Sequence, residues 1–539
     1  MRAHSALPPE PVAGLHGPLQ AVLFDMDGVV TDTARAHAAA WQRLFDEFLQ
    51  ARAQSRGEAF RPFDIVRDYR LYVDGKPRHD GIRSFLESRG IALPYGSEDD
   101  GPGAQTVCGL GNRKNRHFRA WLEQNRVQAY PGTLQLVRAL HQAGVKIAVY
   151  SASRNAGAVL RNAGVLELFD ASVGGSDLAR LELPGKPDPA MLREAASRLG
   201  VPPERCAVVE DAIAGVQAGA KGEFGLVIGV DRGDCGGELR QAGAHIVVHD
   251  LGELAYTADG KLAVKTLANL PSTWKCEGEI QRRLMGKEPV VFLDYDGTLT
   301  PIVEDHTKAL LSQDMRAAVD RLSECCIVAV VSGRDLGMLK SLVGLDSVYY
   351  AGSHGFEIAG PAGSSESLEQ GVEFLPELDE AERALREGLA GIAGHAVERK
   401  RFSVAVHYRR VAVGDLDPLE AVVDRVLAEY PRLRRGYGKK VFELRPGIDW
   451  NKGRAVLWLL ERLGLARPEV LPIYVGDDVT DEDAFRALAG RGLGFAVRDD
   501  GMRQTAADYA VASTREVGRL LELFTEIATE AKRAGGAQP

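Results

Sequence analysis

No apolar run in this chain of 539 residues reaches the roughly 20 residues needed to cross a bilayer, so no membrane partner is expected. The first residues, MRAHSALPPEPVAGLHGPLQ, hold neither a continuous apolar segment nor a convincing cleavage site, and the cytoplasm is the expected location. Positive charge is also short. Lys and Arg total 66 against 75 Asp and Glu, a formal charge of −9, which argues against a broad nucleic-acid surface and for a small-molecule partner. Six cysteines occur, Cys108, Cys206, Cys235, Cys276, Cys325 and Cys326, and none has metal-ligand spacing. The adjacent pair falls in the apolar run CCIVAVV, so reduced, mostly buried thiols are expected. Core-forming residues, by contrast, are plentiful. At 45% apolar and 26% charged the composition is that of a soluble globular protein, and the length predicts about three or four folding units.

The tetrapeptide Asp-x-Asp-Gly occurs twice, in AVLFDMDGVVTDT from Ala21 and in VVFLDYDGTLTPI from Val290, each time after a strand-forming run. A lone Asp-Gly after a strand is usually a turn. Here a strand ending at Asp25 or Asp294 delivers a carboxylate to the carboxyl edge of a parallel sheet, where open α/β folds place their ligands. Asp27 or Asp296 lies just beyond, on the loop. Carboxylates so close repel each other, and a bound Mg²⁺ relieves that repulsion while screening an incoming phosphate dianion. One aspartate is then free to attack phosphorus while the other manages a proton.

Both copies are followed by further stations in the same order. In the first, YSASRN places Ser151 at a strand end, LPGKPDPAML supplies Lys186, and CAVVEDAIAG supplies Glu210 and Asp211. In the second, IVAVVSGR gives Ser332 and Arg334, DWNKGRAV gives Lys452, and IYVGDDVTDED gives Asp477, Asp478 and Asp481. The gap from first aspartate to serine is long in the first copy and short in the second, and from serine to lysine the imbalance reverses. Each core therefore carries an insertion at a different point, at about 33–128 and about 358–446. The first reads as helical, from apolar spacing in AHAAAWQRLFDEFLQ and GIRSFLESRGI; the second mixes a helix with the alternating stretches RFSVAVHYRR and KKVFELRP.

These motifs resemble the haloacid dehalogenase superfamily. The fold implied is α/β: two tandem Rossmannoid domains with parallel sheets, at 18–257 with a helical cap and at 288–530 with an α/β cap, joined by a linker at 258–287. Residues 1–17 and 531–539 are expected to be flexible. The second domain closely resembles the trehalose-6-phosphate phosphatases, through YYAGSHGFEI with His354 and Glu357, VERKRFSVAVHYR, KKVFELRPGIDWNKG and GDDVTDED. That resemblance implies hydrolysis of trehalose 6-phosphate with Asp294 as nucleophile, Asp296 as acid and base, and Ser332 and Lys452 on the phosphoryl oxygens. It implies Mg²⁺ on Asp294, Asp296 and Asp477, with Asp481 in the same acidic group, and sugar contacts from His354, Glu398, Lys400, His407, Glu443 and Arg445. Arg334 is open between orienting phosphate and pairing with a neighbouring carboxylate. A phosphatase of another sugar phosphate, such as sucrose 6-phosphate, is the nearest rival reading.

The first domain resembles the β-phosphoglucomutase branch, through FDMDGVVTDTARAHAAAW, SASRNA, GKPDP and VVEDAIAG. The resemblance implies Asp25 as nucleophile, Asp27 as acid and base, Ser151 and Lys186 on phosphate, and Asp25, Asp27, Glu210 and Asp211 around Mg²⁺. Thr33 and His37 fall near the cap hinge, and Arg78 matches a phosphate-binding arginine, whereas Lys76 stands at the wrong spacing. Sugar-phosphate phosphatase, mutase and noncatalytic sensor all stay open for this domain.

Overall fold

The structure is a computed structural model and describes residues 17–535 apart from 66, 74–77, 233–234, 304–308, 439, 499–500 and 502. The expectations for residues 1–16, Lys76 and 536–539 lie outside the described residues. The chain divides into two compact units, one reaching to Leu251 and including Ala255–Ala263, the other running from Val264 and including Gly252–Leu254. Most of the stretch read as a linker packs into the second unit, because Leu267, Leu270, Ile280 and Leu284 are buried in its two cores.

The first unit is built on six parallel strands in the order Ala171–Val173, Lys146–Tyr150, Ala21–Asp25, Cys206–Glu210, Leu226–Val230 and Ile246–Val248. Strands covered by helices on both faces read as continuous apolar runs, and Ala21–Asp25 and Cys206–Glu210 are buried at every position. The insertion is helical, with Ala34–Arg56, Arg78–Ser88 and Val107–Gln124 closing over Trp41, Phe45, Phe63 and Phe85. A two-stranded antiparallel stalk, Thr31–Asp32 with Gln128–Ala129, carries the chain into and out of it.

The second unit has an eight-stranded sheet in the order Ser367–Glu369, Glu357–Ala359, Tyr349–Gly352, Ile327–Val331, Glu288–Asp294, Val470–Gly476, Leu493–Val497 and Tyr509–Val511. Its two pairings at the 367 end are antiparallel and the rest parallel. The insertion here is a four-stranded antiparallel sheet, Ala396–Lys400, Ser403–His407, Val441–Pro446 and Leu433–Gly438, with helices Leu375–Leu389 and Leu416–Glu429. Alternation decides its faces: Val397, Val404, Val406, Phe442 and Leu444 pack with the helices, which turns Glu398, Lys400, Ser403, His407 and Glu443 the other way. The last helix, Thr514–Gly535, continues past 530, into the stretch expected as a tail.

All six cysteines are free, but only Cys108 and Cys206 are buried and the other four are half-buried, so burial is less general than the apolar context suggested. Among the described residues, no helix is long and apolar enough to cross a membrane.

Candidate active sites

In the second unit the register of Glu288–Asp294 against Ile327–Val331 sets Asp294 beside Val331, so Ser332 follows at the same sheet edge. The chain then turns tightly: Thr300 N donates to the Tyr295 carbonyl at 3.0 Å and Gly297 N to the Thr300 carbonyl at 2.8 Å. Gly297 has φ +84°, and a Cβ there would stand 2.2 Å from Asp477 Oδ2. Glycine is thus required twice over, by conformation and by the approach of the acidic loop.

Lys452 opens the helix Lys452–Arg462, whose N-cap Asn451 accepts from Arg454 N at 2.9 Å. Its ammonium is almost wholly buried and lies 2.6 Å from Asp294 Oδ1 and 2.7 Å from Asp481 Oδ1. Burial pushes the Asp294 carboxyl well up, against the opposing pull of Lys452. Burial would lower Lys452, but Asp294 and Asp481 outweigh it and hold the lysine charged. Oxygens of Asp294, Asp477 and Asp481 lie within 4.8 Å of one another. Asp481 already accepts from Lys452, Tyr474, Asp477 N and Asp478 N, so its oxygens are spent on holding the loop and the lysine.

Arg334 pairs with Asp296 through both carboxylate oxygens, one of the two arrangements the sequence left open. Opposite, the cap sheet completes a cavity of about 250 Å³ lined by Asp294, Asp296, Ser332, Arg334, His354, Glu398, Lys400, His407, Glu443 and Lys452. His354 Nε2 meets Glu443 Oε2 at 3.2 Å, and Lys400 Nζ and Ser403 Oγ reach Glu443 Oε1 at 3.3 and 2.8 Å. His407 Nε2 lies 2.8 Å from Glu398 Oε2. Burial would raise Glu443, but Lys400 and His354 hold it well below the usual carboxylate range. Arg445 does not line the cavity; it stands in register with Arg434 further along the strand. Sequence reading missed Ser403, Met338 and Thr480, the first reaching Glu443 and the other two lining the cavity, because no single one carries a motif.

The first unit repeats the core arrangement. Gly28 N donates to the Thr31 carbonyl at 3.0 Å, and a Cβ on Gly28, with φ +79°, would stand 1.7 Å from Asp211 Oδ2. Lys186 Nζ lies 2.6 Å from Asp25 Oδ1 and pairs with Glu210 Oε1. Burial raises both Asp25 and Asp27, and it raises Asp211 to about 7 with help from neighbouring Glu210. Asp27 accepts from the Thr33 hydroxyl and, at 3.4 Å, from Ser151 Oγ. Arg78 donates to the Gly111 carbonyl at 3.5 Å. His37 stacks on Phe118 and accepts at Nδ1 from Lys114 Nζ, 2.8 Å away. Lys114, from the helix Val107–Gln124, is a residue that sequence reading missed.

A haloacid dehalogenase-like hydrolase model matches residues 19–222 and a trehalose-phosphatase model matches 292–515, so both units are haloacid dehalogenase-like hydrolase domains. Over 341 residues the chain is 41% identical to a trehalose-phosphate phosphatase of Mycobacterium tuberculosis, covering 62% of this chain and 85% of that one. The chain belongs to the trehalose-phosphatase family. It is also 42% identical over 494 residues to an uncharacterized glycosyl hydrolase of the same organism, covering 91% of this chain but only 36% of that protein's length. Among solved structures, a β-phosphoglucomutase from Clostridium difficile matches at 26% identity over 44% of this chain and 94% of that one, with a TM-score of 0.35.

Proposed function

We propose that the second unit hydrolyses trehalose 6-phosphate to trehalose and phosphate through an aspartyl-phosphate on Asp294. The observation that carries this reading is the cavity that sets Asp294 and Lys452 opposite a cap face of Glu398, Lys400, His407 and Glu443. Asp294 attacks phosphorus as the phosphorus–oxygen bond to the sugar breaks, and Asp296 protonates the leaving sugar oxygen. Asp296 then takes a proton from the water that attacks the same phosphorus, and the Asp294 carboxylate is restored. Ser332 and Lys452 hold the transferring oxygens, where positioning and charge carry most of the rate.

The carboxylate cluster and the space kept open at Gly297 fit a hard divalent cation held by Asp294, the Asp296 carbonyl and Asp477. Mg²⁺ there supplies positive charge against the phosphoryl group. Asp481 acts as support, since four donors already engage it. The cap carboxylates and cations suit a substrate rich in hydroxyls, and a site that pairs them rejects analogues that leave its groups unmatched. A panel of trehalose 6-phosphate, sucrose 6-phosphate and glucose 6-phosphate tests this: trehalose 6-phosphate should have the highest kcat/KM, and a preference for another sugar would overturn the substrate.

For the first unit we propose a sugar-phosphate phosphatase or mutase that uses Asp25 and Asp27, with Mg²⁺ on Asp25, the Asp27 carbonyl, Glu210 and Asp211. The cluster of Asp25, Glu210 and Asp211 and the cap cations Lys114 and Arg78 support it. Full-length protein with Asp294→Asn, offered β-glucose 1-phosphate, a sugar bisphosphate and Mg²⁺, isolates this activity. No product from any sugar phosphate would favour a noncatalytic role.

A further inference from the structure

Each lysine that touches a candidate nucleophile is shared with a second carboxylate, and a buried tyrosine reaches the same oxygen of that carboxylate. In the second unit Tyr474 Oη donates to Asp481 Oδ1 at 2.6 Å, and Lys452 Nζ reaches that oxygen at 2.7 Å and Asp294 Oδ1 at 2.6 Å. In the first, Tyr150 Oη donates to Glu210 Oε1 at 3.0 Å, Lys186 pairs with that oxygen, and Lys186 Nζ lies 2.6 Å from Asp25 Oδ1. Tyr150, Tyr474, Glu210 and Asp481 have no exposed surface.

The tyrosines are not counterparts in the fold. Tyr150 ends Lys146–Tyr150, the strand that leads into Ser151, whereas Tyr474 lies on Val470–Gly476, the strand that leads into the acidic loop. The same chain of contacts is therefore assembled twice from different strands. Apolar packing does not require it, because phenylalanine fills nearly the same volume and brings no hydroxyl to satisfy.

The oxygens explain what the phenol does. Asp481 Oδ2 accepts from Asp477 N at 3.0 Å and Asp478 N at 2.9 Å, which leaves Oδ1 to Lys452 and Tyr474. Without the phenol, Oδ1 keeps Lys452 as its donor in a place water does not reach, and the ammonium is drawn toward Asp481 and away from Asp294. We propose that Tyr474 and Tyr150 are positioning residues, each holding the supporting carboxylate so that the shared lysine stays on the nucleophile. The inference rests on the phosphatase reading only for its rate readout.

The test is Tyr474→Phe in the full chain, beside a control, Tyr509→Phe. Tyr509 is also a buried strand tyrosine, and its Oη donates to Glu279 Oε1 at 2.9 Å, but it does not line the cavity. Tyr474→Phe should lower kcat about tenfold with KM within about twofold, while Tyr509→Phe keeps the parent kcat. Hydrogen exchange at the Asp477 and Asp478 amides should accelerate in Tyr474→Phe alone. If both variants lose melting temperature alike while kcat and exchange stay at parent values, Tyr474 is only structural and the proposal fails. Rates are read on trehalose 6-phosphate and on an aryl phosphate together. A parent that cleaves only the aryl phosphate overturns the substrate reading and still tests the tyrosine; with a parent that cleaves neither, the exchange rates decide.

Discussion

Arg334 grips both carboxylate oxygens of Asp296, Nε to Oδ2 at 2.7 Å and Nη2 to Oδ1 at 2.6 Å. A two-point guanidinium–carboxylate contact is the strong form of the pair, and Arg334 is itself only 7% exposed. The carboxylate assigned to proton transfer is thus held on both oxygens until something else engages the guanidinium, and an arriving phosphoryl group is a partner of the right charge. Arg334→Lys keeps the charge but cannot form the fork. Its kcat/KM on trehalose 6-phosphate should fall about tenfold, and that of Arg334→Ala about a hundredfold. Steady-state kinetics at parent level in both variants would show that the pair does not bear on turnover.

The cap face carries the sugar selectivity in this account. Glu398→Ala and Glu443→Gln should each cost at least about tenfold more kcat/KM on trehalose 6-phosphate than on a small aryl phosphate, which does not reach the cap. Parallel rates on the two substrates read this directly. Equal losses would remove these residues from sugar recognition.

Gly297 keeps the Asp477 carboxylate at the nucleophile turn, since a Cβ would stand 2.2 Å from Asp477 Oδ2. Gly297→Ala should raise the Mg²⁺ concentration for half-maximal rate by at least about tenfold. Chelation of the parent should abolish phosphate release, and added Mg²⁺ should restore it. A parent rate that survives chelation would contradict the cation assignment.

How much of this was legible in the sequence depended on whether the signal was local. Asp25 and Asp294 end strands, Lys452 opens a helix and Lys186 lies on the turn before Ala190–Leu199, all within short motifs, and each lysine meets the aspartate of its own unit as the order suggests. The cap face was legible through alternation, because Val397, Val404, Val406 and Phe442 face the helices and leave Glu398, His407 and Glu443 to the cavity. Contacts made by residues outside those motifs were not. Lys114 reaches His37 from a helix 77 residues away, and Arg445, sharing the motif and the face of Glu443, falls beyond the cavity because the strand carries it there. The strands that hold Tyr150 and Tyr474 give no sign of where the buried hydroxyls point, since a strand pattern shows that a side chain is buried and nothing about its polar end.

Lys114 makes the first unit sensitive to pH. Burial, reinforced by Arg78, lowers its ammonium to about 7, while burial with Lys114 and Arg78 lowers His37 to about 3. Above about 7 the folded state has lost the Lys114 proton that the unfolded chain keeps until about 10.5, so this group makes stability rise with pH across that window. The slope should approach about 1.4 kcal/mol per pH unit and disappear in Lys114→Met, as chemical denaturation from pH 7 to 10 would measure. An equal slope in parent and variant would contradict the assignment.

Phosphate release from trehalose 6-phosphate with Mg²⁺, compared among the parent, Asp25→Asn and Asp294→Asn, tests the central claim most directly. The two nucleophile positions are chemically alike, each paired with a lysine at 2.6 Å. Loss in Asp294→Asn with the parent rate kept in Asp25→Asn is the predicted result. Loss only in Asp25→Asn, or no release by the parent, would contradict it.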